Sequence, residues 1–142
     1  MKDTNNILDY NIWSAGEYQD NTQGYNTNCI VQTSKEYSLI GENSLKVIND
    51  TSSTKTVYTS SIDVTSNKTY TLSCVLYNPE AQVNVVLQSD KGTFSVVIVP
   101  PADVPQRISV SYTTASDDSS LVCRWNLFSN YCFIDDVSLT VS

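Results

Sequence analysis

From about residue 43 onward, apolar residues recur at every second position through most of the chain. In 68–77, Tyr70, Leu72, Cys74 and Leu76 alternate with Thr69, Thr71 and Ser73. In 119–128, Leu121, Cys123, Trp125 and Leu127 alternate with Val122, Arg124 and Asn126. A repeat of two is the mark of a half-buried strand, because successive side chains point to opposite faces of a sheet. The same reading predicts strands at 29–33, 37–40, 43–49, 56–64, 82–89, 92–99, 106–114 and 131–141, with a short first strand at 7–13 and a polar loop from Ser14 to Asn28. No segment carries the helical repeat of about 3.6 residues. Turn chemistry separates the strands. Ser89-Asp90-Lys91-Gly92 predicts a hairpin with Gly92 at positive φ, and Asn78-Pro79-Glu80 a turn. The run from Pro100 to Pro105 is a loop that no central strand would accommodate.

Many short strands with polar turns predict an all-β fold, a β-sandwich or barrel. The main strands from Ser44 onward can be laid into a jelly roll of two antiparallel sheets. One sheet would hold 43–49, 131–141, 68–77 and 106–114, and the other 56–64, 119–128, 82–89 and 92–99, with the N-terminal strands extending the edges. A chain of 142 residues fits one domain.

The last strand holds the least ordinary residues. Phe133, Val137, Leu139 and Val141 share one parity, and Ile134, Asp136, Ser138 and Thr140 the other. It reads as the closing strand of a sheet. Asp135 and Asp136 need a reason in so apolar a segment, since an ionised carboxylate near a core must be paired or bound to a cation. Two readings stand: both carboxylates end in solvent at a strand edge, or they hold a cation.

Composition narrows the function. Hydrophobic residues make up 40% of the chain and charged residues only 16%, with Ser, Thr, Asn and Tyr filling the surface. Such a surface suits neutral, hydrogen-bonding partners. The net charge of −7 and eight scattered Lys and Arg argue against a phosphate-backbone partner and disfavour an anionic membrane surface. No apolar run approaches the roughly 18 residues of a membrane span. Met1 to Asn6 lacks a signal peptide's apolar region, so we expect a module excised from a larger protein, or export without a cleaved signal. The chain has no His, which excludes Ser-His and Cys-His pairs, and its acids fall mostly in loops, so no enzyme is expected. Cys74 and Cys123 read as small core residues of their strands. If 119–128 and 131–141 form a hairpin turning at Ser129-Asn130, Cys132 faces Leu127 and not Cys123, which argues against a disulfide between them. No CxxC pair suggests zinc.

The alternation also nominates a face. If Val83, Val85 and Leu87 point inward, Asn84, Val86 and Gln88 point out. If Leu121, Cys123, Trp125 and Leu127 point inward, Arg124 and Asn126 point out beside them, with Tyr58 or Thr59 on the neighbouring strand. Asn84, Gln88, Arg124 and Asn126 thus make a polar quartet that either binds a ligand or only solvates the sheet. Trp13, Tyr18 and Tyr25 lie in or beside the N-terminal loop as candidate stacking residues, with Trp13 alternatively filling the core, and Trp125 would join them if a bulge reversed its parity. Asn49-Asp50-Thr51 and Asn67-Lys68-Thr69 match glycosylation acceptors.

Three stretches carry a resemblance. Gly41-Glu42-Asn43-Ser44-Leu45-Lys46-Val47 resembles the GxxSLKV segment of carbohydrate-binding modules of the family 4/9/22 type. Lys68-Thr69-Tyr70-Thr71-Leu72-Ser73 is similar to their KTYTLS strand, Phe133 to Leu139 to their closing YIDDVSL, and Asn6-Ile7-Leu8 to their opening NLL. The resemblance implies a jelly roll, no catalysis, a glycan or polysaccharide partner and often a structural calcium. Asp135 would supply an anionic oxygen to that ion, and the neighbourhood of Glu42 carbonyls. The family's Glu after the first strand is replaced by Ser14, and its Phe by Trp13. The resemblance also implies a place outside the cell or on a particle surface, attached to further domains. The competing expectation is a structural or adhesive jelly roll of a phage tail or surface protein.

Overall fold

The computed structural model describes residues 25–27, 30–34, 44–59 and 61–142. Two antiparallel sheets face each other as a jelly-roll sandwich. The first has the order β1 (Tyr25–Thr27), β4 (Lys55–Thr59), β10 (Ser120–Leu127), β7 (Val83–Ser89) and β8 (Phe94–Val99), with β5 (Ile62–Asp63) also on β10. The second runs β2 (Ile30–Ser34), β3 (Ser44–Asn49), β11 (Asn130–Val141), β6 (Thr69–Tyr77) and β9 (Gln106–Thr113). The strand order expected from the sequence is the one observed, with β1 and β2 at the edges. Among the described residues no helix is long and apolar enough to cross a membrane.

The core lies between the sheets and follows the alternation. Tyr70, Leu72, Cys74 and Leu76 of β6 meet Val83, Val85 and Leu87 of β7 and Leu121, Cys123, Trp125 and Leu127 of β10 in one cluster. Trp125 is buried, so it offers no stacking surface to a ligand. The hairpin at Gly92 forms as expected: φ is 89°, Gly92 N donates to Ser89 O at 3.0 Å, and Ser89 N to Thr93 O at 2.8 Å. Asn78, fully buried, spends its amide on the carbonyls of Ala81 at 2.9 Å and Val99 at 3.1 Å, tying the Asn78-Pro79-Glu80 turn to the end of β8.

Several boundaries differ from the sequence reading. Tyr25–Thr27, expected in a loop, pairs with β4. The single strand expected at 56–64 is two short ones, β4 and β5, both on β10. Residues 119–128 and 131–141 do not form a hairpin: Asn130, at φ 60°, begins a strand that lies in the opposite sheet. The strands expected at 7–13 and 37–40 lie outside the described residues.

The largest correction concerns β11. It is a central strand, between β3 and β6, and its pairing with β6 shifts register between Asp135 and Ser138. Asp136 adopts φ 50° at this bulge, and its N–H donates to Asp135 Oδ1 at 2.8 Å. One extra residue reverses the parity. Cys132 and Ile134 face the core before the bulge, and Val137 and Leu139 after it. Phe133 therefore does not share a face with Val137. It lies on the outer side of the second sheet, stacked on Tyr77 at 6.0 Å and edge-on to Tyr131 at 5.7 Å. Nor do both carboxylates end in solvent. Asp135 is completely buried on that outer side, opposite Val75, while Asp136 pairs with Arg107.

The end of the sandwich near β8 and β9 is tied by two carboxylates. Asp90 accepts from Ser119 N at 3.0 Å and Ser119 Oγ at 2.9 Å. Asp118 accepts from Ala115 N at 2.8 Å and Tyr112 Oη at 2.7 Å. These donors hold both carboxyls below the usual carboxylate range, led by the Ser119 N–H for Asp90 and the Ala115 N–H for Asp118.

Two predictions follow from the bulge and the carboxylates. A left-handed backbone costs a side chain bearing Cβ roughly 1–2 kcal/mol, so Asp136→Gly will unfold at higher denaturant than Asp136→Ala, although both lose the Arg107 pair. A depressed carboxylate contributes stability above its unfolded value of about 3.9 and loses it as pH falls through the folded value. Asp118→Asn will therefore lower Tm at neutral pH and flatten the fall of Tm below about pH 4, as read by calorimetry.

Candidate functional site

The site is built on the outer face of the first sheet, by the residues whose neighbours fill the core. The registers place Thr56, Asn126, Asn84 and Ile98 in one cross-strand row, and Tyr58, Arg124, Val86 and Val96 in the next. Val122, Gln88 and Phe94 follow in the third. Asn84, Gln88, Arg124, Asn126 and Tyr58 thus share one surface, as expected, and Tyr58 rather than Thr59 is the outward residue of β4. Thr59 is buried, its hydroxyl accepting from Cys123 N at 3.1 Å.

Arg124 stands at the centre. Its guanidinium carbon lies 5.1 Å from the Tyr58 ring centroid, a cation–π distance. Beside it, Val86, Gln88, Phe94, Arg124 and Asn126 enclose a depression of about 210 Å³. Two of the amides are steadied by neighbours on the same face: Asn126 Oδ1 accepts from Thr56 Oγ1 at 2.9 Å, and Asn84 Oδ1 from Gln82 Nε2 at 3.0 Å. Neither contact uses an amide N–H of Asn126 or Asn84, so these donors are left for a ligand by these bonds.

Phe94 is the residue that sequence reasoning missed. It is 58% exposed, and with Val96 and Ile98 it forms an apolar rim along the edge strand β8. The signal was present in the hairpin, since a turn over 89–93 sets Phe94 opposite Gln88 and so on its face. Strand β8 is apolar on both parities, which hid the outward one. The face therefore combines an aromatic ring near each side, a guanidinium between them and amides around it. Rings suit the C–H faces of a sugar, and amides and guanidinium its hydroxyls.

The other expected residues fall elsewhere. Tyr25 begins β1, opposite Thr59, with only its backbone described. Tyr18, Trp13 and Glu42 lie outside the described residues. Asp135 offers one desolvated carboxylate, but Asp136 is turned to Arg107 at 2.6 Å. The described residues hold no group of three or more His, Cys, Asp or Glu side chains placed to ligate a metal, and a calcium shell needs about six to eight oxygens. Asn49 does not suit glycosylation: it is buried, and its Nδ2 donates to Ser53 O at 2.8 Å and Leu127 O at 2.9 Å. Asn67 is exposed.

A second depression, about 290 Å³, lies on the outer side of the second sheet between Lys46, Ile48, Asn49, Asp50, Asn130 and Tyr131. Its cation is engaged, Lys46 Nζ lying 5.3 Å from the Tyr131 centroid and 5.4 Å from that of Phe133.

The buried cysteines take no part in the site. Burial pushes the Cys74 thiol up to about 11 and the Cys123 thiol up to about 12. At about pH 8 fewer than roughly one in a thousand of either would be thiolate. Iodoacetamide will leave Cys74 and Cys123 unmodified in the native protein and alkylate both in denaturant, as read by peptide mass mapping.

No protein-family model matches the sequence, and no curated protein matches it. Solved structures match the fold. The xylan-binding CBM22-1 domain of Paenibacillus barcinonensis Xyn10C superposes with TM-score 0.68 at 15% identity, over 84% of this chain and 86% of that one. The C-terminal family 22 carbohydrate-binding module of Clostridium thermocellum Xyn10B gives 0.67 at 17% identity, over 99% and 97%. The enzymatically active domain of bacteriophage CBA120 tailspike protein 4 gives 0.76 at 11% identity; the match takes in 97% of this chain but only 22% of the tailspike domain. At these identities the likeness is one of fold, and the protein is an all-β jelly-roll sandwich of the kind found in carbohydrate-binding modules.

Proposed function

We propose that the outer face of the first sheet binds glycan, without catalysis, and that the domain holds a larger protein to a polysaccharide or glycan outside the cell or on a particle surface. The observation that carries this reading is the grouping of Tyr58, Arg124, Asn126, Gln88 and Phe94 around one depression. Sugar recognition needs that mixture of flat apolar surface and convergent hydrogen-bond donors. The likeness in fold to a xylan-binding domain lends support. The absence of any His from the sequence keeps the common nucleophile–base pairs out of reach.

A second reading has its own observation. The apolar rim of β8, with Phe94 at 58% and Ile98 at 60% exposure, and the likeness to a tailspike domain favour a structural jelly roll that meets another protein. Affinity electrophoresis of the purified domain through soluble polysaccharides separates the two. Retardation by one class of glycan, weakened about tenfold or more in Arg124→Ala, is the expected result, since hydrogen bonds from a charged group are worth about that factor. Uniform mobility across the panel would favour the structural reading. A calcium at Asp135 is tested in parallel: a Tm that falls on chelation supports it, and an unchanged Tm removes it.

A further inference from the structure

The charge on this face points to the kind of glycan. Among the described residues, Arg124 is the single charged side chain in the three central rows. The nearest described carboxylates by register are Asp63, opposite Ser120, and Asp90, which accepts from Ser120 N; Ser120 lies four residues along β10 from Arg124, roughly 13 Å of backbone. The chain has 15 Asp and Glu against 8 Lys and Arg, and none of the described acids falls in the rows around this cation. The other described acids lie in turns or belong to the second sheet. Arg107 and Lys91 each pair with a carboxylate, Asp136 and Asp90, whereas Arg124 has none among the described residues. Its Nε is cut off from solvent and finds no acceptor among them.

A partly desolvated guanidinium without a counter-charge is held at a cost that an arriving anion offsets. The Tyr58 ring supplies only part of that compensation. Resting on the glycan reading above, we propose that the ligand is an acidic glycan, a polymer of or decorated with uronic acids, whose carboxylate is taken by Arg124 while Phe94 packs against a sugar ring. A carboxylate matches the planar fork of a guanidinium with two parallel hydrogen bonds, which a single hydroxyl does not. The amides of Gln88, Asn126 and Asn84 then serve the hydroxyls. Overall repulsion from the −7 chain is limited, because the screening length is about 8 Å at physiological salt.

The test uses matched polymers: polygalacturonate, alginate and hyaluronate, each beside its carboxyl-reduced form, which keeps the linkage and removes the charge. Affinity electrophoresis should show at least one acidic polymer binding about tenfold or more tighter than its reduced partner. Arg124→Gln should erase that difference, Arg124→Lys should keep part of it, and rising salt should shrink it in the wild type. Equal binding of both forms, or binding of neutral glycans alone, would overturn the acidic class while leaving glycan binding intact. Failure of every polymer, neutral ones included, would overturn both. The wild-type comparison decides the matter even if a variant at 124 fails to fold.

Discussion

A single step in the register of β10 decides what the first sheet offers to solvent. Leu121, Cys123, Trp125 and Leu127 lock into the core against Val83, Val85 and Leu87, and each inward residue forces its neighbour outward. A slip of one residue would expose the Trp125 indole and drive the Arg124 guanidinium into an apolar core, two penalties of the same sign. The outer face is thus a by-product of core packing. Tyr58, Arg124, Gln88 and Asn126 are held together by residues that never touch a ligand.

The two sheets differ in what their outer faces leave available. On the second sheet Arg107 is paired with Asp136, and Lys46 lies over the Tyr131 and Phe133 rings. These contacts absorb charge and aromatic surface within the protein. On the first sheet the central cation lacks a carboxylate partner among the described residues, and Phe94 stands open to water. That asymmetry, rather than size, distinguishes the smaller depression as the better candidate. The larger one beside Tyr131 is lined by side chains with work already assigned, such as the Asn49 amide that bonds across to the carbonyl of Leu127.

Much of this was legible in the chain because β6 and β10 alternate without a break. The pattern gave their inward faces, and jelly-roll regularity gave the sheet order. Where the alternation breaks, the reading failed for a physical reason. In β11 the parity rule assumes an uninterrupted strand, and the bulge at Asp136 reverses it, so Phe133 does not share the face of Val137 and Leu139 that strict alternation gives it. Tyr25–Thr27 is polar and short, and its pairing with β4 is a tertiary event that local sequence does not announce. Phe94 was hidden because Val97 and Val99 make the inward parity of β8 as apolar as the outward one. Arg124 was found by parity alone, while the lack of acids beside it among the described residues required the registers of four strands.

The most direct test of the account is to watch the resonances of the folded domain by NMR as oligomers of polygalacturonate, alginate and hyaluronate are titrated in, each in turn. Saturable shifts at Arg124, including its side-chain Nε–H, and at Asn126, Gln88 and Phe94 are expected, with Lys46 and Tyr131 unmoved. Shifts confined to the second sheet, or none with any of the three at high oligomer concentration, would contradict the assignment of this face to an acidic glycan.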